Sequence, residues 1–289
     1  MHFVQAKGIL SANGGMNLYR GCMHNCIYCD SRSLCYQFTH DFEDIEVKEN
    51  ALILLEDALS KKRKKCMIAT GGMTDPYLPL ERTLRYTEKA LSLIHRYGFG
   101  LSIHTKSDLI LRDLPLLKNI HQKSKCVVSI TLTTYDEALC KIIEPNVCST
   151  KRRIEVLHNL KEAGIPTIVW LTPILPFLND TEENILSLVN ACKDAGIYGI
   201  IHFGMGLTLR DGNREYFYQC LDKHFPGLKQ RYIRSFGQSY ECLSPKNQTL
   251  SALFHKACEK NSILHDNDRL FAYMREFPSS EAEQLSMWD

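Results

Sequence analysis

Between Val47 and Ile201 the chain alternates two patterns: segments with apolar residues three or four positions apart, and short runs apolar at nearly every position. The first is the period of a helix with one buried face and the second marks a strand buried on both faces, so their alternation predicts βα units around a parallel sheet. Predicted strands are Cys66 to Thr70 ending in Gly71-Gly72, Gly100 to His104 ending in Thr105-Lys106, and Cys126 to Ile130 ending in Thr131. Two more are Thr167 to Leu171, ending in Thr172-Pro173, and Tyr198 to His202, ending at Phe203-Gly204; a first strand is expected at Met16 to Tyr19, which makes about six units. Helices are expected at Leu84 to Tyr97 and at Thr150 to Ala163, the latter stopped by Gly164 with Pro166 just beyond. Another runs from about Lys48 and closes on the basic run Lys61 to Lys65, where the helix dipole and solvent favour positive charge. The strand rhythm fades after about Gly206, and Gly212 to Phe277 reads as mostly helical. The expected organisation is a barrel-like unit over residues 1–206, a mostly helical extension packed on it over 207–278, and a tail over 279–289. Loops after the strand C-termini gather on one rim in such folds, so the polar residues at the strand ends should converge there on a ligand.

Composition narrows the setting. Of 289 residues, 44% are hydrophobic and 24% charged, the balance of a folded globular chain. Thirty-five bases against 33 acids leave a net charge of +2, too little to gather nucleic acid or anionic lipid, so any polyanion contact must be local. No apolar run approaches the roughly 20 residues needed to cross a bilayer, and the opening MHFVQAKGIL has no secretory pattern. The expectation is a cytoplasmic protein without membrane partners. Twelve cysteines are too few for a disulfide scaffold at this length, and nine are scattered as small apolar residues.

The other three lie close together. The segment Gly21-Cys22-Met23-His24-Asn25-Cys26-Ile27-Tyr28-Cys29 has the form C-x-x-x-C-x-x-C directly after the first predicted strand. Iron–sulfur clusters are normally held by four thiolates, so three in one loop leave one iron free to bind a reactant. The alternative is a zinc site completed by His24, His40 or Cys35.

This loop, with Tyr28 just before its last cysteine, resembles the cluster loop of the radical S-adenosylmethionine (radical SAM) superfamily. The pieces Tyr19-Arg20-Gly21-Cys22, Thr74-Asp75-Pro76-Tyr77-Leu78-Pro79-Leu80-Glu81, Thr105-Lys106-Ser107, Arg112-Asp113, Ser129-Ile130-Thr131, Glu144-Pro145, Ala163-Gly164-Ile165, Pro173-Ile174-Leu175-Pro176 and Asn179-Asp180 resemble its spore photoproduct lyase-like branch. The resemblance implies an α/β chain with a partial (β/α)6 TIM-like barrel. It also implies a [4Fe–4S] cluster on Cys22, Cys26 and Cys29 whose fourth iron is chelated by S-adenosylmethionine. An electron from a reductant such as flavodoxin or ferredoxin would then cleave the sulfonium to a 5′-deoxyadenosyl radical that takes a hydrogen atom from substrate.

By the same resemblance Tyr28 lies against adenine, Gly71 and Gly72 let the backbone approach the methionine moiety, and Thr74 and Asp75 sit near the cofactor. Lys106 neutralises the methionine carboxylate and Ser129 adds a hydroxyl contact. Glu144 and Arg152 could hold ribose or carboxylate, and a surface ion pair explains them nearly as well. One departure stands out: where the lyases carry a hydrogen-donor cysteine, this chain has Met73, which has no S–H to give. Nucleic acid is the substrate class the resemblance implies, with a peptide or small molecule as rival and a non-catalytic metal-stabilised adaptor as a reading from another class. His104 and His202 read as structural. In the tail, Gln284-Leu285-Ser286-Met287-Trp288 resembles a bacterial sliding-clamp-binding peptide, which would tether the enzyme to DNA.

Overall fold

The computed structural model describes residues 1–278; the expected clamp-binding segment, Gln284 to Trp288, lies outside them. The chain opens with β1 (His2–Val4), β2 (Tyr19–Arg20) and β3 (Glu46–Lys48), which form a small sheet in the order β1-β3-β2. After α1 (Ala51–Lys61) comes β4 (Met67–Thr70), followed by α2 (Glu81–Leu84), α3 (Tyr86–Arg96), β5 (Gly100–Thr105), α4 (Leu114–Lys123) and β6 (Cys126–Thr131). Two helices, α5 (Glu137–Ile143) and α6 (Thr150–Glu162), lead to β7 (Thr167–Trp170), and α7 (Glu182–Asp194) leads to β8 (Gly199–Ile201). All five strands from β4 to β8 are parallel and ordered as they occur in the chain, the arrangement of a partial TIM barrel. Ile68, Leu101, Ile103, Val128 and Val169 are fully buried between this sheet and its helices. Each such side chain contributes about 1.5–3 kcal/mol over its exposed state.

The expected first strand, Met16 to Tyr19, is divided between two sheets. Gly15 pairs with Ala69 in one parallel bridge and Met16 N donates to Ala69 O at 2.7 Å, which lays this segment on the free edge of β4. Beyond it the backbone is claimed by β3: Lys48 N donates to Leu18 O at 3.2 Å, and Tyr19 pairs antiparallel with Val47. The approach to β4 requires Gly14, whose φ is +79° and whose added Cβ would stand 2.5 Å from Met67 O. The predicted helix from Leu84 to Tyr97 begins earlier and breaks at Arg85, which is left-handed at φ 54°. The break lets the buried Glu81 carboxylate accept Thr87 N–H at 2.7 Å. The basic run is also only partly helical, since α1 stops at Lys61 and Lys65 Nζ sits 4.4 Å above the Phe99 ring.

The remaining described elements are β9 (Gly206–Thr208), α8 (Asn213–His224), α9 (Leu228–Phe236), β10 (Glu241–Leu243), α10 (Asn247–Lys260) and α11 (Asn267–Arg275). An antiparallel pair, β9 with β10, is therefore set among helices, and β9 straddles position 206. Leu264 bridges Gly199 at the edge of β8, while Leu250, Phe254 and Cys258 of α10 belong to the same buried cluster as Leu101 and Val169. No helix among the described residues is long and apolar enough to cross a membrane.

Candidate active site at the barrel rim

The cysteine loop leaves β2 through Gly21, at φ +87°, where an added Cβ would meet Phe42 O at 2.5 Å. Cys22 N–H donates to that same Phe42 carbonyl at 3.0 Å. A second segment clamps the loop from the other side: Ile27 N–H donates to Ile143 O at 3.0 Å, Asn146 Nδ2 to Met23 O at 2.8 Å, and Asn146 N to His24 O at 3.3 Å. Beneath it the Tyr28 hydroxyl donates to Glu144 Oε1. Glu144 also accepts from Thr133 Oγ1 at 3.2 Å and from Arg153 Nη2 at 2.5 Å, while Arg153 Nη1 donates to Thr131 O at 2.9 Å. Glu144 and Arg153 are both fully buried, so the loop rests on a desolvated ion pair.

The thiols fit an iron–sulfur cube better than a single zinc ion. Sulfurs around one tetrahedral zinc lie about 3.8 Å apart. Among the described residues, however, the trio of cysteine, histidine or carboxylate ligand atoms gathered within 4.8 Å is His2, His40 and Glu46, not the cysteines. The expected zinc completions are engaged elsewhere. His24 Nδ1 lies 3.1 Å from Asn146 O, and its Nε2 lies 3.1 Å from Asp75 Oδ2. His40 faces Glu46, and Cys35 is exposed. Burial pushes the Cys22 thiol up to about 12 and raises Cys26 well above the ordinary thiol value. Their ionisation therefore calls for positive charge in their midst, which bound iron supplies.

Cys29 is half-buried and opens on a cleft of about 580 Å³ at the C-terminal ends of the strands, shared with Tyr28, Gly72, Met73, Lys106, His104 and Trp170. Leu207, Thr208, Glu241 and Leu243 form its far side. Lys106 bonds through its backbone, N–H to Asp75 Oδ2 at 2.8 Å and carbonyl to the Cys148 thiol at 3.1 Å; among the described residues its ammonium has no hydrogen-bond partner. Burial alone would lower its pKa, yet its acidic neighbours Cys26, Glu144 and Asp75 hold it above the ordinary lysine value. His104 stacks on Trp170 at 4.9 Å between ring centroids, and Trp170 is 5.8 Å from Phe203. Burial, helped by the Lys106 charge, pushes His104 down to about 3, so this aromatic wall is neutral.

Other expected residues stand off the cleft. Asp75 is buried beneath it, accepting Tyr77 N at 2.9 Å, Thr105 Oγ1 at 2.6 Å and Lys106 N at 2.8 Å. Burial would raise its pKa, but His24 and these donors hold it well below the carboxylate range, which makes it a brace. Gly71 packs against β5, since a Cβ there would lie 2.0 Å from His104 O, whereas a Cβ on Gly72 would meet nothing within 4 Å. Thr74 opens on a side cavity of about 160 Å³ with Arg20 and Lys48. Ser129 is buried, its Oγ without a partner among the described residues, in a cavity of about 240 Å³ that shares Gly72, Met73, His104 and Trp170 with the main cleft. Arg152, expected at the cofactor, is placed elsewhere: its guanidinium binds Asp108 and Glu155, both at 2.9 Å. Glu144 likewise spends both oxygens on protein partners rather than facing the cleft.

Arg153, Asn146 and Trp170 are among the site residues that sequence reasoning did not single out, as are Thr133, Cys148 and the far side of the cleft. For Arg153 a signal existed, because on α6 it falls on the same face as the buried Val156, Leu157 and Leu160.

Residues 16–189 match the radical SAM superfamily. An uncharacterised protein of Methanocaldococcus jannaschii is 36% identical over 233 residues, covering 80% of this chain and 79% of its own. An uncharacterised protein of Mycobacterium tuberculosis is 30% identical over 228 residues, 75% of this chain; this chain spans 65% of that relative's length. Among solved structures, spore photoproduct lyase complexed with dinucleoside spore photoproduct aligns with a TM-score of 0.62 at 15% identity, over 84% of this chain and 72% of the lyase. The radical S-adenosylmethionine methyltransferase TsrM from Kitasatospora setae, with cobalamin and a [4Fe–4S] cluster bound, aligns with a TM-score of 0.54 at 14% identity, over 88% of this chain and 53% of its own. At such identities the solved structures speak to the fold, whose partial barrel they share. The chain belongs to the radical SAM superfamily, and its cofactors are those of the superfamily, a [4Fe–4S] cluster and S-adenosylmethionine.

Proposed function

We propose that this enzyme holds its cluster on Cys22, Cys26 and Cys29 and starts radical chemistry on a substrate, of the nucleic-acid class, bound in the cleft beside them. When bound, the reduced cluster and S-adenosylmethionine supply one-electron cleavage of the sulfonium bond and a carbon radical that takes a hydrogen atom from substrate. The chain's own residues do the placing. The observation that carries the reading is the Lys106 ammonium, without a hydrogen-bond partner among the described residues, on the same cleft as Cys29 and ready to bind a carboxylate by a charge-assisted hydrogen bond. Gly72 keeps the adjoining wall open, and Tyr28 offers a ring pinned by Glu144. His104, Trp170 and Phe203 keep water off one side and present planar faces on which a base can stack.

In this reading residues 1–206 carry the cofactors and residues 207–278 close the substrate side, with flavodoxin or ferredoxin as reductant. The fold likeness to spore photoproduct lyase supports the substrate class. Met73, 36% exposed on the cleft wall, has no S–H, which favours a product other than a repaired dimer. The test is anaerobic reconstitution with iron and sulfide, reduction with dithionite, and assay of 5′-deoxyadenosine with and without DNA. The expected result is turnover stimulated by DNA and abolished, together with iron loading, by Cys26→Ala. A fully loaded cluster that yields no 5′-deoxyadenosine would refute the reading, and stimulation by peptides alone would transfer it to that substrate class.

A further inference from the structure

Behind the site, on the small sheet, two imidazoles and a carboxylate converge. Pairing of β1 with β3 sets His2 opposite Glu46, and the loop before β3 brings in His40. One ligand atom of each lies within 4.8 Å of the other two. Both rings are oriented from behind: His2 Nδ1 is 2.9 Å from Asp44 Oδ2, and His40 Nδ1 is 2.8 Å from Asp41 O. A carbonyl oxygen only accepts, so the His40 Nδ1 carries a proton and the lone pair of the neutral ring is on Nε2, 2.7 Å from Glu46 Oε1. At 2.7 Å a proton fits between the two atoms, and a metal ion would take that proton's place as the pair opens. The carboxylate is steadied in turn by Arg20, with Nη1 3.4 Å from Oε1 and Nη2 on the carbonyls of Tyr36 and Gln37 at 2.6 and 3.0 Å. Rings that give their far N–H to a carboxylate or carbonyl, beside a hydrogen-bonded carboxylate, are the usual surroundings of metal ligands.

We propose that His2, His40 and Glu46 form a second metal site, separate from the cysteine loop, for a divalent ion of borderline softness such as Zn(II). Two nitrogens and one oxygen suit that ion and leave a fourth position for water. Bonds of about 2.0–2.2 Å set the ligand atoms about 3.4 Å apart, so His40 Nε2 and Glu46 Oε1 open from 2.7 Å while the 41% exposed His2 has room to close on them. A proton on His40 accounts for its contact with Glu46; an ion would also engage His2, whose ring meets that of His40 edge-on at 5.0 Å between centroids. The site also has a structural consequence. It ties down the segment from His40 to Glu46, whose Phe42 carbonyl holds Cys22, so an ion here braces the chain from which the cysteine loop hangs.

The test uses the full chain, reconstituted anaerobically with iron and sulfide, equilibrated with Zn(II), desalted, and analysed for iron and zinc and by X-ray absorption at the zinc edge. Expected are about one zinc per chain beyond the iron, a nitrogen and oxygen shell free of sulfur, and affinity at least about tenfold weaker in His2→Gln and in Glu46→Gln with iron content unchanged. His2 is a surface residue, so zinc loss in its variant is not explained by misfolding. No retained zinc, sulfur in the zinc shell, or wild-type affinity in both variants would overturn the proposal.

Discussion

Glu144→Gln strands the Arg153 guanidinium beneath the cysteine loop. The two groups are fully buried and meet at 2.5 Å. With charge centres about 4 Å apart and an effective dielectric of about 20, their attraction amounts to about 4 kcal/mol. Glutamine preserves the shape and one acceptor for Tyr28 or Thr133, but removes the counter-charge, and a buried charge left alone costs about 3–5 kcal/mol. Urea unfolding of the cluster-free, reduced full chain, followed by circular dichroism, should show a loss of that size. In an Arg153→Met background the same replacement should cost nothing or stabilise the chain, because there it removes the buried Glu144 charge that the loss of Arg153 leaves alone. Acid sensitivity gives an independent readout. Burial would raise the Glu144 pKa, but Arg153 foremost, then Lys106 and the Tyr28 hydroxyl, hold it below the ordinary value. Its stabilisation is therefore complete above the unfolded pKa of about 4.3 and is lost as pH falls through the folded one. Wild type should lose this component on acidification below about pH 4.3, and Glu144→Gln should not. A loss under about 1 kcal/mol, or an equal cost in both backgrounds, would refute the reasoning.

Lys106→Gln should weaken S-adenosylmethionine binding by tenfold or more, the loss of a charge-assisted bond of about 1.5–3 kcal/mol, with iron content unchanged; equilibrium dialysis that finds wild-type affinity counts against that role. Gly71→Ala drives a Cβ to 2.0 Å from His104 O and should cost more than about 3 kcal/mol in thermal denaturation. Gly72→Ala, with open space around it, should fold as wild type, so equal stability of the two variants would contradict the packing described. Arg152→Ala should change stability by less than about 1 kcal/mol and leave cofactor binding intact, because its partners are an exposed pair rather than the cleft.

Much of this molecule is written locally. The strands β4 to β8 are mostly buried and read as short runs apolar at nearly every position, so their existence follows from a few residues at a time, and the helices between them imply parallel pairing. The cysteine spacing is equally local, and chain order alone puts it at the barrel's start. Local pattern failed where neighbours compete for the same backbone or the same charge. Met16 to Tyr19 reads as one strand, yet two sheets bid for it, and Arg152 and Arg153 are chemically alike while facing opposite environments on α6. The surroundings of the site were decided only by tertiary packing of distant loops. Tyr28 meets Glu144 across 116 positions and Asn146 reaches Met23 across 123. Periodicity and spacing determine what a short segment does by itself, whereas the partner of a buried polar group is chosen by whichever distant residue the fold brings within hydrogen-bond reach.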